Sequence, residues 1–204
     1  LITRLLIALN VIAYVWEVLT GALRSNQSLY EHGALLPAAV LQDHQWWRIV
    51  SSGFLHGGLV HIGVNMLSLF WLGRFIEVVL GSPRMLLVYM ASLIGAGLAV
   101  TYSAPADTLT LGASGAIFGL FGALFAIGLK LGERGGELVR SNIGILILNL
   151  IFSFSFPGIS WQAHIGGLIT GFALTLLIFW PPKPVRTRVY DPSTGAVYES
   201  QLES

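Results

Sequence analysis

The stretch Gly112-Ala113-Ser114-Gly115, followed by the apolar run from Ala116 to Leu131, sets one hydroxyl between glycines at the start of a long hydrophobic segment. Two roles suit a serine there. Its oxygen can cap a helix by accepting from the orphan N–H groups of the first turn. It can equally be a nucleophile, because those N–H groups and the positive end of the helix dipole stabilise an oxyanion formed beside it. The four residues alone leave both open. What decides between them is where the other polar groups fall relative to the solvent this chain is built for.

That solvent is lipid. Hydrophobic residues make up 54% of the 204 residues and charged ones only 10%, whereas a soluble domain carries roughly a quarter charged residues. The net charge of +1 gives no basis for a nucleic-acid partner. Cysteine is absent, which excludes disulfides, thiolate chemistry and Cys-based metal sites. The chain opens on Leu1 rather than Met, so an N-terminal segment is expected to have been trimmed. The first apolar run lacks a small-residue cleavage site and reads as a span, not a signal peptide.

A span needs about 20 mostly apolar residues. Six segments qualify: 5–23, 60–80, 85–103, 114–131, 139–156 and 163–180. Residues 24–59 form a long connection, too polar to span and too rich in Leu and Trp for a plain linker. After Trp180 comes Pro-Pro-Lys-Pro and a polar tail. Within it, Val189 to Tyr198 has the pattern of a small hairpin, with a disordered tail as the alternative. No internal repeat is present, which argues against an inverted-repeat transporter. The inner halves of the spans offer almost no polar path, which argues against a transporter or channel.

The eleven Lys and Arg residues orient the spans. With a cytoplasmic N-terminus, Arg4, Arg74, Arg84, Lys130, Arg134, Arg140, Lys183, Arg186 and Arg188 lie inside. Only Arg24 and Arg48 lie outside. The positive-inside rule therefore puts both termini in the cytoplasm. Spans two, four and six then run from outside to inside, and their N-terminal ends gather at the outer face. Span two brings His56, His61 and Asn65, span four brings Ser114, and span six brings His164. From Ser114 to Lys130 is ~24 Å of helix at 1.5 Å per residue, against a hydrocarbon core ~30 Å thick. With Lys130 at the inner interface, Ser114 sits below the outer surface, inside the membrane.

Ionisable groups in spans are costly and are paired or functional. Taken alone, His164 fits interfacial packing or a backbone hydrogen bond. Gly167 and Gly171, however, form a small-xxx-small pair that admits a close neighbour. If that neighbour is span four, His164 reaches Ser114 as the base a serine nucleophile needs near neutral pH. Glu17, Glu31, Asp43 and Asp107 are the outer-side carboxylates, and none is compellingly placed behind His164. The sequence thus predicts a Ser–His dyad without an acidic third member. The nucleophile elbow of soluble hydrolases does not fit, since residue 116 is Ala and no strand precedes the serine. His61 and Asn65 share one helix face and suit either an oxyanion hole with the Ser114 N–H or interhelical hydrogen bonds. A metal held by His56, His61 and His164 would have no obvious carboxylate to complete it. Gly73, Glu77 and Gly81 suggest tight packing, with Glu77 bonded to a neighbour's backbone or paired with Arg74. Trp46-Trp47-Arg48 reads as an interfacial anchor, its guanidinium suited to phosphates or backbone carbonyls.

Taken together, these motifs resemble the rhomboid family of intramembrane serine proteases over roughly residues 4–180. They are Trp47-Arg48, His56 and His61 with Asn65, Gly73/Glu77/Gly81, Gly112-Ala113-Ser114-Gly115, and Ala163-His164 with Gly167 and Gly171. The resemblance implies that Ser114 attacks a peptide carbonyl, that His164 takes its proton, and that His61, Asn65 and the Ser114 N–H hold the oxyanion. It implies a partly submerged hairpin in the first loop, and movement of span five and of residues 156–161 to admit substrate sideways. It also implies single-span membrane proteins as substrates, cut near the outer face. Some members carry a tyrosine one helical turn after the serine. Here Phe118 stands there, which predicts ring support for His164 without a hydrogen bond.

The expected fold is therefore an all-α polytopic membrane protein, a six-helix rhomboid-like bundle over residues 1–181 with a cytoplasmic polar tail over 182–204. The resemblance, with its six-span form, suggests a bacterial inner membrane. His56, Gly112, Phe118, Gly167 and Gly171 are expected to support the site. No metal or organic cofactor is expected. The expected partners are transmembrane substrates and membrane lipids, with the oligomeric state left open. A catalytically silent, helix-binding rhomboid-like protein is the alternative, and the presence of both Ser114 and His164 argues against it.

Overall fold

The computed structural model describes residues 2–155, 158–181, 186–190 and 197–201. Helices follow the apolar runs. The first is α1 (Ile2–Thr20), and three short helices occupy the first loop: α2 (Asn26–Glu31), α3 (Pro37–Leu41) and α4 (Arg48–Ser51). The next two, α5 (Leu59–Ser68) and α6 (Arg74–Leu80), continue into one another through a π-helical stretch, Leu69–Gly73. Then come α7 (Ser82–Ser103), α8 (Ser114–Lys130), α9 (Gly136–Ser155) and α10 (Trp161–Ile178).

Five helical segments are long and apolar enough to cross a membrane: Ile2–Thr20, Leu59–Leu80, Ser82–Ser103, Gly132–Ser155 and Trp161–Ile178. The sixth, α8, has 17 residues, or ~26 Å of helix. Every expected span is thus a helix, and together they form an all-α integral membrane bundle. The first lies a few residues earlier than the hydropathy pattern suggested. Gly21, at φ 79°, ends it in a left-handed conformation that glycine adopts without steric cost.

The short helix is also the central one. Nearly all of α8 from Gly115 to Gly128 is buried, and it packs against α7 and α10. Its glycines make this possible, because a side chain at the contact would hold the backbones apart. A Cβ added at Gly167 would overlap the Gly115 carbonyl, one at Gly171 the Gly119 carbonyl, and one at Gly122 the Leu168 carbonyl. On the other flank of α10, a Cβ at Gly166 would come within 2.8 Å of the Gly95 carbonyl of α7. Large apolar side chains such as Leu19, Val60, Val78 and Ile151 face outward instead, as lipid-facing surfaces do.

The first loop is tied to the segment that precedes α8. Leu35 and Thr110 exchange two backbone hydrogen bonds at 2.9 Å, and the Gly112 N–H donates to the Ser52 carbonyl at 2.9 Å. Arg48, 4% exposed, binds backbone carbonyls: Nη1 donates to Tyr30 O at 2.6 Å and Ala34 O at 2.9 Å. Its Nε donates to Gln45 Oε1 at 2.6 Å, and its guanidinium lies 4.0 Å from the Tyr30 ring centroid. Of the two partners open to this guanidinium, carbonyls are the ones it takes. Glu77 likewise binds a neighbour's backbone, accepting from Ile2 N at 2.7 Å and Thr3 N at 3.1 Å, besides the Thr3 and Ser82 hydroxyls.

In the tail, β1 (Arg186–Tyr190) pairs antiparallel with β2 (Val197–Gln201), Tyr190 opposite Val197. This is the hairpin alternative, with its strands extending beyond Val189 and Tyr198. The connection 191–196 and the Pro-Lys-Pro segment at 182–184 lie outside the described residues. So do Phe156 and Pro157, in the segment expected to move.

Candidate active site

Helices α5, α8 and α10 present their N-terminal turns at one end of the bundle. Ser114 is the first residue of α8, and the cap position before it is Ala113, which makes no side-chain cap bond. The Ser114 hydroxyl is directed instead at α10, where its Oγ lies 2.8 Å from His164 Nε2. The capping alternative therefore does not describe this serine. The glycine seam explains the reach. Gly167, one turn after His164, sits against the carbonyl of Gly115, the residue after Ser114.

His164 is 6% exposed and held from several sides. Phe118, one helical turn after Ser114, stacks on it with centroids 4.0 Å apart and planes 8° from parallel. On the opposite edge of the imidazole, Nδ1 lies 2.6 Å from Ser153 Oγ of α9. Sequence reasoning missed Ser153. The available signal was a pair of polar residues, Asn149 and Ser153, four apart in an apolar span. Nothing in the sequence says which neighbour such a face meets.

His61 and Asn65 converge on Gly112. A Cβ there would lie 2.7 Å from His61 Nε2 and 3.7 Å from Asn65 Nδ2, and the backbone holds φ 123°. Both facts require glycine. His61 Nδ1 lies 3.4 Å from the Gly57 N–H, which can only donate. That places the imidazole proton on Nε2, toward Gly112. Asn65 Nδ2 is buried with no acceptor among the described residues. Buried donors almost always have partners, so two N–H groups facing one spot beside Ser114 define a place for an anion. The backbone N–H groups of the first α8 turn lie there too, without intrahelical acceptors.

His56 stands behind this pair. Its ring meets His61 edge to face at 5.1 Å, and its backbone N–H donates to both carboxylate oxygens of Glu17 at 3.1 and 3.0 Å. Burial and the neighbouring His61 push the His56 imidazole down to about 4, so it is neutral at physiological pH. Glu17 thus serves the loop backbone before α5. Among the described residues, no three His, Cys, Asp or Glu side chains gather into a metal-holding group.

A helical membrane bundle with a buried serine–histidine pair, and with unpartnered donors beside the serine, defines the class. The rhomboid domain family model matches residues 43–181. Over 171 residues the chain is 36% identical to rhomboid protease GluP of Bacillus subtilis, covering 83% of this chain and 33% of that protein. It is 37% identical over 134 residues to the putative rhomboid protease YdcA of the same organism, covering 65% and 67%. It is 33% identical over 166 residues to RHOMBOID-like protein 2 of Arabidopsis thaliana, covering 78% and 50%. The chain spans a third of the first relative's length and half of the third's. It belongs to the rhomboid family.

Proposed function

We propose that this chain is an intramembrane serine endopeptidase that cleaves single-span membrane proteins near the outer face of the bilayer. The observation that carries the reading is the 2.8 Å contact between Ser114 Oγ and His164 Nε2, inside the bundle and near the Asn65 amide, which has no partner among the described residues. Ser114 Oγ attacks the scissile carbonyl carbon while its proton passes to His164 Nε2. The carbonyl oxygen becomes an oxyanion, held by His61 Nε2–H, Asn65 Nδ2–H and the Ser114 N–H. Collapse of the tetrahedral intermediate breaks the C–N bond, and the imidazolium returns its proton to the leaving amine. Water then attacks the acyl-enzyme with His164 again as base. A cavity of about 20 Å³ beside Gly112 and Gly115, bordered by Ser52 and Thr110, has room for roughly one water molecule.

In this reading residues 1–181 are the catalytic bundle and 182–204 a cytoplasmic tail, with both termini inside. The membrane is a bacterial inner membrane, and its lipids cover the exposed apolar faces. Substrate enters from the lipid. The N-terminal turns of α5, α8 and α10 face outward, where water and the extended part of a substrate helix meet.

The test is cleavage of a single-span substrate in liposomes, with fluorophosphonate labelling in parallel. Wild type is expected to cut and to take the label, and His164→Ala to do neither at a measurable rate. A wild type that binds transmembrane helices but neither cleaves several substrates nor labels would instead support the silent, helix-binding alternative.

The oxyanion assignment carries its own expectation. Asn65→Ala lowers kcat by about 10²-fold, the low end for loss of one oxyanion donor. KM changes little, because the charge forms only on the way to the intermediate. Steady-state rates in detergent decide this. A KM effect with kcat unchanged would make Asn65 a substrate-binding group instead.

A further inference from the structure

Ser153 Oγ has two close neighbours. One is His164 Nδ1 at 2.6 Å, and the other is the Asn149 carbonyl oxygen, also at 2.6 Å. A hydroxyl has one hydrogen and two acceptor lone pairs. The Asn149 carbonyl can only accept, one turn earlier on α9, which is the usual back-bond of a helical serine. The hydroxyl hydrogen therefore goes to Asn149, and Ser153 Oγ accepts from His164 Nδ1–H. That fixes the remaining ring nitrogen. With the proton on Nδ1, Nε2 presents its lone pair to Ser114 Oγ at 2.8 Å. In the opposite tautomer Nε2 carries the proton and cannot accept the serine's.

We propose that Ser153 is a positioning residue for the reaction: it holds His164 in the tautomer that can accept the proton of Ser114. The proposal rests on the reading of His164 as the base. It supplies the third position of the relay, which no carboxylate among the described residues fills, with a neutral hydroxyl buried to 3% exposure. Phe118 fixes the plane of the ring from one face, whereas Ser153 fixes its rotation within that plane. A neutral acceptor stabilises the imidazolium less than a carboxylate does, so its contribution is one of orientation and tautomer more than of charge. The contact also brings α9 into the site. Of the apolar window in Gly132–Ser155, 12% is buried against the rest of the bundle, compared with 50% for Ser82–Ser103. The orientation of the base therefore depends on how this lightly packed helix seats against α10.

The first readout needs no turnover. Nitrogen NMR of the ¹⁵N-histidine-labelled full chain in micelles resolves five histidines, with His164 assigned by its loss in His164→Ala. Wild type is expected to carry the His164 proton on Nδ1, and Ser153→Ala to show a mixture of tautomers. Kinetics supply the second readout. Ser153→Ala and Ser153→Val are expected to lower kcat about tenfold with KM within about twofold, and Ser153→Thr, which keeps the hydroxyl, to restore most of the rate. A wild-type proton on Nε2, or an unchanged tautomer in Ser153→Ala, overturns the proposal. Equal rates for Ser153→Val and Ser153→Thr also overturn it, since packing would then explain the loss. If wild type fails to cleave or label, the protease reading falls while the tautomer measurement still decides the role of Ser153.

Discussion

Ser114→Ala is expected to abolish both substrate cleavage and fluorophosphonate labelling, lowering kcat by at least about 10⁴-fold, as loss of a serine nucleophile does elsewhere. Among the described residues, nothing else is placed to substitute. Cysteine is absent, and the second hydroxyl within reach of the imidazole, Ser153, lies on the Nδ1 edge, away from the donors at Gly112. The fold should be untouched. Ser114 starts α8 without capping it, and among the described residues its Oγ bonds only across to His164. The thermal midpoint is therefore expected to move by no more than a few degrees, as for loss of one hydrogen bond of about 0.5–1.5 kcal/mol. A single-span substrate in liposomes, followed on a gel over hours, checks the first part, and a melting curve checks the second. The combination matters. Lost cleavage with an unchanged melt identifies a nucleophile, lost cleavage with a collapsed melt identifies only a packing position, and residual wild-type cleavage removes Ser114 from the chemistry. Substrate binding should survive the substitution, which separates catalysis from recognition of the transmembrane helix.

The sequence made the helices and the Ser114–His164 pair legible for the same reason. In lipid, apolar runs and the few polar interruptions have separate meanings. Apolar runs must be helices, because every backbone group needs an internal partner. Polar groups that survive in them must meet one another. Gly167 and Gly171 marked a face for a close neighbour without saying which, and the glycine seam joins α10 to α8. What stayed out of reach depended on where unmarked faces point. Whether Arg48 binds phosphates or carbonyls turns on how residues 30–34 fold around it. Glu17 was one of four unplaced carboxylates, and only the fold shows it holding the His56 backbone. Ser153 is the clearest case. A serine in a helix can satisfy itself on its own backbone, so its presence in a span signals nothing until the neighbouring helix is in place. The tail was ambiguous for a related reason. Its residues fit a hairpin, but without apolar alternation deep enough to require one.

The glycine seam carries the second large effect. Gly167→Ala is expected to cost about 10²-fold in kcat, roughly 2.7 kcal/mol of barrier, with a smaller loss of stability. The added methyl would overlap the Gly115 carbonyl, and the two helices can relieve that only by separating. Separation at this point acts directly on the 2.8 Å contact, since Gly115 follows Ser114 and Gly167 lies one turn from His164. A misplacement of ~1 Å in a reacting pair is enough for a loss of this size. Gly171→Leu places a larger side chain against the Gly119 carbonyl, deeper in the bundle. There the overpacking cost of about 1–3 kcal/mol falls on the fold, lowering the thermal midpoint by roughly 2–12 °C. Gly144→Ala is the control. A Cβ at Gly144 meets nothing within 4 Å on the outer face of α9, and alanine favours the helix by up to ~1 kcal/mol, so rate and midpoint should hold or rise slightly. Rates and melts on the three variants separate the possibilities. If Gly167→Ala cleaves like wild type, the contact between Ser114 and His164 does not depend on close approach of α8 and α10. If Gly144→Ala loses as much as Gly167→Ala, the loss reflects glycine in a membrane helix in general and not this seam.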